Sequence, residues 1–209
     1  IWWPNKDHIT AEGDSVRMSY TVPSNMVAVG NGKLKNIKTE NDKSTYEWFV
    51  SNPINNYNIS VQIGNYVAVQ DTFIKDNTTH YMDHYVLDYN SELASNYFKQ
   101  AKEIIRFYEK FFGDYQWYDD GYKLIEVPYL GMEHQSAVTY GNGFSIYNGV
   151  RSKSWPMYGV VDPLIIHETG HEWFGNSVTA SDPTHIWIHE GLQVYSEAIY
   201  FEDKFDSYE

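Results

Sequence analysis

The sequence predicts an α+β protein, with an all-β region over residues 1–89 and a mixed region over residues 90–209. Short β-rich runs separated by turn residues fill the chain from about residue 14 to residue 88, the pattern of an antiparallel sheet or sandwich. At Ser91 the period changes. The segment SELASNYFKQAKEIIRFYEKFFG puts Leu93, Tyr97, Phe98, Ala101, Ile104, Ile105, Tyr108, Phe111 and Phe112 on one stripe with a 3.6-residue repeat. The boundary is expected near residues 88–91, where one period hands over to the other.

The first strand is expected at residues 15–22, stopped by Pro23, Ser24 and Asn25. Residues 27–29 follow, and Gly30-Asn31-Gly32 reads as a hairpin turn, since Asn and Gly tolerate positive φ. Strand-like runs recur at residues 34–37, 45–50, 59–69 and 80–87. The stripe from residue 91 predicts one helix, with Ser91 as N-cap and Gly113 just past its end. A strand is expected at 122–127, then a Pro-containing turn, the segment Gly131-Met-Glu-His-Gln135, and extended chain over 136–148. Helices close the series at about 162–174 and 184–200.

Of the 209 residues, 42% are hydrophobic and 17% aromatic, enough to fold around a real core. The formal net charge of −13 excludes nucleic acid as a natural partner and suits cationic ligands, a free α-amino group among them. No apolar run is long enough to cross a bilayer. With no cysteine, disulfides and thiolate metal sites are excluded. The chain opens at Ile1 inside IWWPNKDH, without an initiator Met, and stops while a helical pattern is still running. It is expected to be an internal piece of a longer protein.

His167-Glu168-Thr169-Gly170-His171 is an H-E-x-x-H motif in an apolar helical stretch, Leu164-Ile-Ile before it and Trp173-Phe174 after it, with Gly175-Asn176 as its expected C-cap. Residues four apart share a helix face, so both imidazoles point at one ion. Glu168, one position on, reaches a water on the metal rather than the metal itself. A catalytic zinc wants three protein ligands and an open position. Glu190 supplies the third, with eighteen residues between it and His171, on a second helical stretch. A metzincin arrangement is excluded, because Phe174 and Ser177 stand where a Gly and a His are needed. His185 and His189 are weaker third ligands; on an ideal helix His189 points about 100° away from Glu190. Two neutral imidazoles and one carboxylate would leave one zinc ion with net charge to activate water, with Glu168 as general base, and the chemistry is that of a peptide or amide hydrolase.

The segment HETGHEWFGNSVTASDPTHIWIHEGLQVYSEAIY resembles the zinc segment of the aminopeptidase N family, HE-x-x-H-x-W-F-G-N-x-V-T followed by W-x-x-E-G. GMEHQ is similar to that family's G-x-M-E-N exopeptidase motif, and WWPNKDH to a segment of its N-terminal β-domain. The resemblance implies the C-terminal part of an antiparallel β-sandwich or saddle domain over residues 1–89, then the first part of a thermolysin-like catalytic domain over residues 90–209. It implies a gluzincin aminopeptidase acting on peptides with a free N-terminus. His167, His171 and Glu190 would be ligands to one zinc ion and Glu168 the general base. Glu133 would bind the substrate's α-amino group, and Gly131 and Met132 would let the backbone lie along the substrate. The chain departs from the pattern at His134, where the family has Asn, and at Gly170, where it usually has Ala. The family's transition-state tyrosine lies beyond the third ligand and its second amine-binding residue lies before the WWPNKDH segment, so the piece is expected to be incomplete for catalysis. The alternatives are an epoxide hydrolase of the leukotriene-hydrolase type on the same zinc site and a noncatalytic zinc scaffold; the intact Glu168 speaks against the scaffold. A placement outside the cytoplasm is suggested by the family's frequent surface or periplasmic location.

Overall fold

The computed structural model describes residues 2–6, 8–144 and 161–205. The all-β half contains β1 (Glu12–Gly13), β2 (Val16–Pro23), β3 (Val27–Gly30), β4 (Lys33–Glu40), β5 (Lys43–Val50), β6 (Ile54–Asn55), β7 (Val61–Gly64), β8 (Tyr66–Lys75) and β9 (Thr78–Leu87). After these come α1 (Ser91–Tyr97), α2 (Gln100–Phe112), β10 (Leu124–Glu126), β11 (Gly131–Met132), β12 (Val138–Tyr140), α3 (Pro163–Gly170) and α4 (Trp187–Phe205). The α+β class is the one expected. Among the described residues four sheets form: β2-β5-β4, β3-β7, β1-β6, and a five-stranded β11-β12-β10-β9-β8. The last takes strands from both sides of residue 89. It is mixed, since β10 runs parallel to both β9 and β12.

Alternation in β5, with Ser44, Tyr46, Trp48 and Val50 buried, turns one face of its sheet into a core. Trp48 is anchored there by its indole N–H, which donates to the Ala28 carbonyl at 2.9 Å. A second core lies between the five-stranded sheet and the helices, with Phe98, Ile104, Ile105, Tyr108, Leu124, Ile165 and Ile166 all buried. β9 feeds both cores: Met82 and Val86 face the helices and Tyr85 faces the β-half.

Several local expectations are corrected. Gly30-Asn31-Gly32 is not a hairpin, because β3 pairs with β7 and β4 with β5, so the chain changes sheet there. Asn31 is buried, and its amide N–H2 donates to the carbonyls of Asn58 and Gln135. The tight hairpins are Asn41-Asp42 between β4 and β5 and Asp76-Asn77 between β8 and β9, all four residues at positive φ. That is the two-residue turn that matches strand twist. The run at 59–69 is split between β7 and β8, and β8 continues to Lys75. The single helix expected from residue 91 is two, because the bonds tighten around Phe98 and Lys99: the Ala101 and Lys102 N–H groups reach back only three residues. The apolar stripe runs unbroken across this joint. Ser91 is the first helical residue rather than the cap; Asn90 holds that position. Gly113 does end α2, with φ +92°. The strand at 122–127 shrinks to β10 and the extended run at 136–148 to β12, residues 145–148 lying outside the described residues.

Candidate metal centre

Asp162 starts α3. Its carboxylate accepts from the Leu164 N–H at 2.9 Å, and Pro163 fills a first-turn position where no N–H is missed. The hydroxyls of Tyr97 and Tyr140 each donate to Asp162 at 2.7 Å, which ties the helix start to α1 and β12. The helix stops at Gly170, earlier than expected. Beyond it the Glu172 N–H bonds three residues back and the Asn176 N–H five back, to the His171 carbonyl. Gly170 sits where α3 crosses α2 and α4. A Cβ there would collide with the Tyr108 hydroxyl and the Gln193 amide, a reason for this chain to hold Gly in that position.

His167 and His171 lie one turn apart, with their Nε2 atoms 3.2 Å from each other. Glu190, in the first turn of α4, places Oε2 3.6 Å from His167 Nε2 and 3.8 Å from His171 Nε2. Tetrahedral bonds of 2.0–2.1 Å need ligand atoms about 3.3 Å apart, so these three atoms fit one ion. The other ring nitrogens are occupied. His167 Nδ1 donates to Glu197 Oε1 at 2.7 Å, and His171 Nδ1 donates to the Phe174 carbonyl at 2.8 Å. The Phe174 carbonyl can only accept, and a carboxylate is the natural acceptor for an imidazole N–H, so the hydrogen of each ring is assigned to Nδ1 and an Nε2 lone pair to the gap. Two lone pairs and a carboxylate oxygen converge there, a donor set that a cation satisfies.

Burial lowers the His167 imidazole, but the Glu197 carboxylate, with Glu168 and Glu190, more than offsets it and the net direction is upward. Burial holds His171 below the ordinary histidine value. Glu168 is buried beside the cluster, and burial pushes its carboxyl up to about 8. A Cβ on Gly131 would come within 2.6 Å of Glu168 Oε1, so a glycine there leaves the carboxylate its room. Glu133, Glu168 and His171 present ligand atoms all within 4.8 Å of one another. Met132 and Glu133 also line a cavity of about 640 Å³, together with Trp2, Trp3, Tyr57 and Ile186.

The residues singled out from sequence are therefore brought together: His167, His171, Glu190, Glu168, Glu133, Met132 and Gly131. His189 turns its Nε2 to the Ala180 N–H at 2.9 Å, away from the cluster, and His185 lies exposed on the 3₁₀ turn Pro183–His185 ahead of α4. His134 is pushed by burial down to about 4. Sequence reasoning missed Glu197, Asn176 and Tyr57. Glu197 had a readable signal, being seven residues past Glu190 and so on nearly the same helix face.

The family described as Peptidase family M1 domain matches residues 96–209, more than half of the chain. Aminopeptidase M1-D of Oryza sativa subsp. japonica is 25% identical over 191 residues, covering 86% of this chain and 20% of the relative. An M1 zinc metallopeptidase from Deinococcus radiodurans superposes with a TM-score of 0.75 at 19% identity, over 97% of this chain and 43% of that one. A variant of that metallopeptidase bound to a Tyr-Ser-Ala substrate superposes with a TM-score of 0.70 at 18% identity, over 92% and 41%. At these identities the likeness to the solved structures is one of fold. The chain spans about a fifth of the length of the curated relatives it matches.

Proposed function

This chain belongs to peptidase family M1, and from that membership we propose that it carries the zinc centre of an aminopeptidase. His167, His171 and Glu190 hold one zinc ion, and Glu168 is the general base. The observation that carries this reading is the convergence of two imidazole lone pairs and one carboxylate oxygen on a single point, with Glu168 buried beside it. When bound, the zinc lowers the pKa of a water and polarises the scissile carbonyl.

The chain's own residues do the rest. Glu168 takes the proton from the attacking water and delivers it to the leaving amine. Glu133 brings its carboxylate within 4.8 Å of Glu168 and His171, where it receives the α-ammonium of the substrate and restricts the enzyme to peptides with a free N-terminus. Gly131 and Met132, paired in β11 with β12, offer backbone along which the substrate lies. The peptide held by the Deinococcus relative supports a peptide substrate.

An epoxide hydrolase on the same site is the other enzymatic reading, and a structural zinc scaffold the noncatalytic one. A buried base beside the ligands favours hydrolysis over the scaffold. Glu168→Gln in the zinc-loaded full-length protein should keep its metal and lose release of free amino acid from an aminoacyl anilide. Hydrolysis that survives the substitution would remove Glu168 from the mechanism.

A further inference from the structure

The loop carrying Glu133 is gripped by partners from both halves of the molecule. The Gln135 carbonyl accepts from Asn31 at 2.7 Å, the Ser136 N–H donates to Glu172 Oε1 at 2.7 Å, and the Ser136 carbonyl takes Lys123 Nζ at 2.8 Å. At Glu133 itself the grip comes from Asn176, which is 4% exposed. Its Nδ2 donates to the Glu133 carbonyl at 2.9 Å and to Glu172 Oε2 at 3.1 Å. Its Oδ1 accepts from Asn58 Nδ2 at 2.7 Å, and the Tyr57 hydroxyl, which has a single hydrogen to give, lies 3.4 Å from it. A flipped amide would set donor against donor and acceptor against acceptor, so this orientation is fixed.

Asn176 is also tied to the metal centre, because its N–H donates to the His171 carbonyl at 2.9 Å. An unbroken path therefore runs from a ligand's backbone, through one saturated amide, to the backbone of Glu133. Tyr57 completes it from the β-half: its hydroxyl lies 3.4 Å from Glu133 Oε1, and its ring stacks on His189 at 6.3 Å.

We propose that Asn176 is a positioning residue for Glu133, with Tyr57 as its partner from the β-half, and that together they set the separation between the metal centre and the carboxylate that takes the α-ammonium. This rests on the role given to Glu133 above. A recognition group must be held within about 0.5 Å of its productive place, and Asn176 holds the backbone while Tyr57 holds the carboxylate.

The test is calorimetric binding of two probes to the zinc-loaded protein, L-leucine hydroxamate and its N-acetyl counterpart. Both chelate the metal, and only the first carries an ammonium. Wild type should prefer the free amine, and Glu133→Gln should lose that preference. Asn176→Ala should cut the preference about tenfold, the loss of roughly one good polar contact, and leave the acetylated probe's affinity unchanged. Tyr57→Phe, which removes one hydroxyl and keeps the ring, should cut it about threefold. A merely structural role would weaken both probes alike. That result, or an undiminished preference in folded, zinc-loaded Asn176→Ala, overturns the proposal. If Asn176→Ala does not fold, Tyr57→Phe decides on the same criterion. A Glu133→Gln protein that keeps the wild-type preference would instead sink the amine-binding role itself, and the proposal with it.

Discussion

Glu197 Oε1 accepts the Nδ1 hydrogen of His167 at 2.7 Å, from a position two helical turns beyond Glu190 on α4. One helix thus offers both the Glu190 oxygen of the candidate ligand set and the carboxylate that orients His167. Such a partner fixes the tautomer and raises the basicity of the ring.

Glu197→Gln keeps an acceptor for the His167 N–H but removes the charge, and zinc affinity should fall about tenfold; Glu197→Ala, which removes the acceptor as well, should cost up to about a hundredfold. Competition with a chromophoric chelator reads this directly. Unchanged affinity in Glu197→Ala would mean that Glu197 is only a core group.

Gly170→Ala should destabilise the protein although alanine is the better helix former. The gain in propensity is about 1 kcal/mol. The new methyl meets the Tyr108 hydroxyl and the Gln193 amide, two buried groups already bonded to each other at 2.9 Å. Overpacking of this kind costs about 1–3 kcal/mol, so a net loss of about 1 kcal/mol is expected in urea unfolding. A variant more stable than wild type would show that the crossing has slack.

His84 gives the fold a pH limit. Its Nδ1 accepts the Leu124 N–H at 2.9 Å, and burial pushes the imidazole down to about 4, with Asp71 opposing the shift and Lys102 and Lys123 adding to it. Between pH 6.5 and 4 the unfolded chain therefore binds a proton that the folded one refuses. Stability from this group is complete above about 6.5 and is lost as pH falls toward 4, by about 3 kcal/mol in all. His84→Asn keeps an acceptor near the Nδ1 position and cannot titrate. Its stability should fall less steeply over that interval than that of wild type. Parallel curves would assign the acid sensitivity to other groups.

The candidate ligands were legible because His167 and His171 share a face by helical spacing, and Glu190 follows on the next helical stretch. Glu197 was readable only from its seven-residue spacing to Glu190, since the buried stripe of α4 begins with His189, Gln193, Ser196 and Glu197, and a search for apolar periodicity passes over it. Tyr57 and Asn58 reach the site from a short 3₁₀ turn more than a hundred residues before Asn176, a distance no local pattern spans. The hairpins went the other way. Gly30-Asn31-Gly32 carried the stronger turn signal, yet its asparagine is spent on buried contacts, while Asn41-Asp42 and Asp76-Asn77 turn without any glycine. The joint at Phe98 was hidden because Phe98 stays buried, against His84 and Tyr140, and keeps the stripe continuous.

Zinc content per chain, measured by elemental mass spectrometry on wild type beside Glu190→Ala, bears most directly on the central claim. Three convergent ligands predict about one zinc per wild-type chain, and a Glu190→Ala protein that has lost most of it because two histidines leave the ion underliganded. Stoichiometric zinc retained by folded Glu190→Ala would contradict the assignment of Glu190.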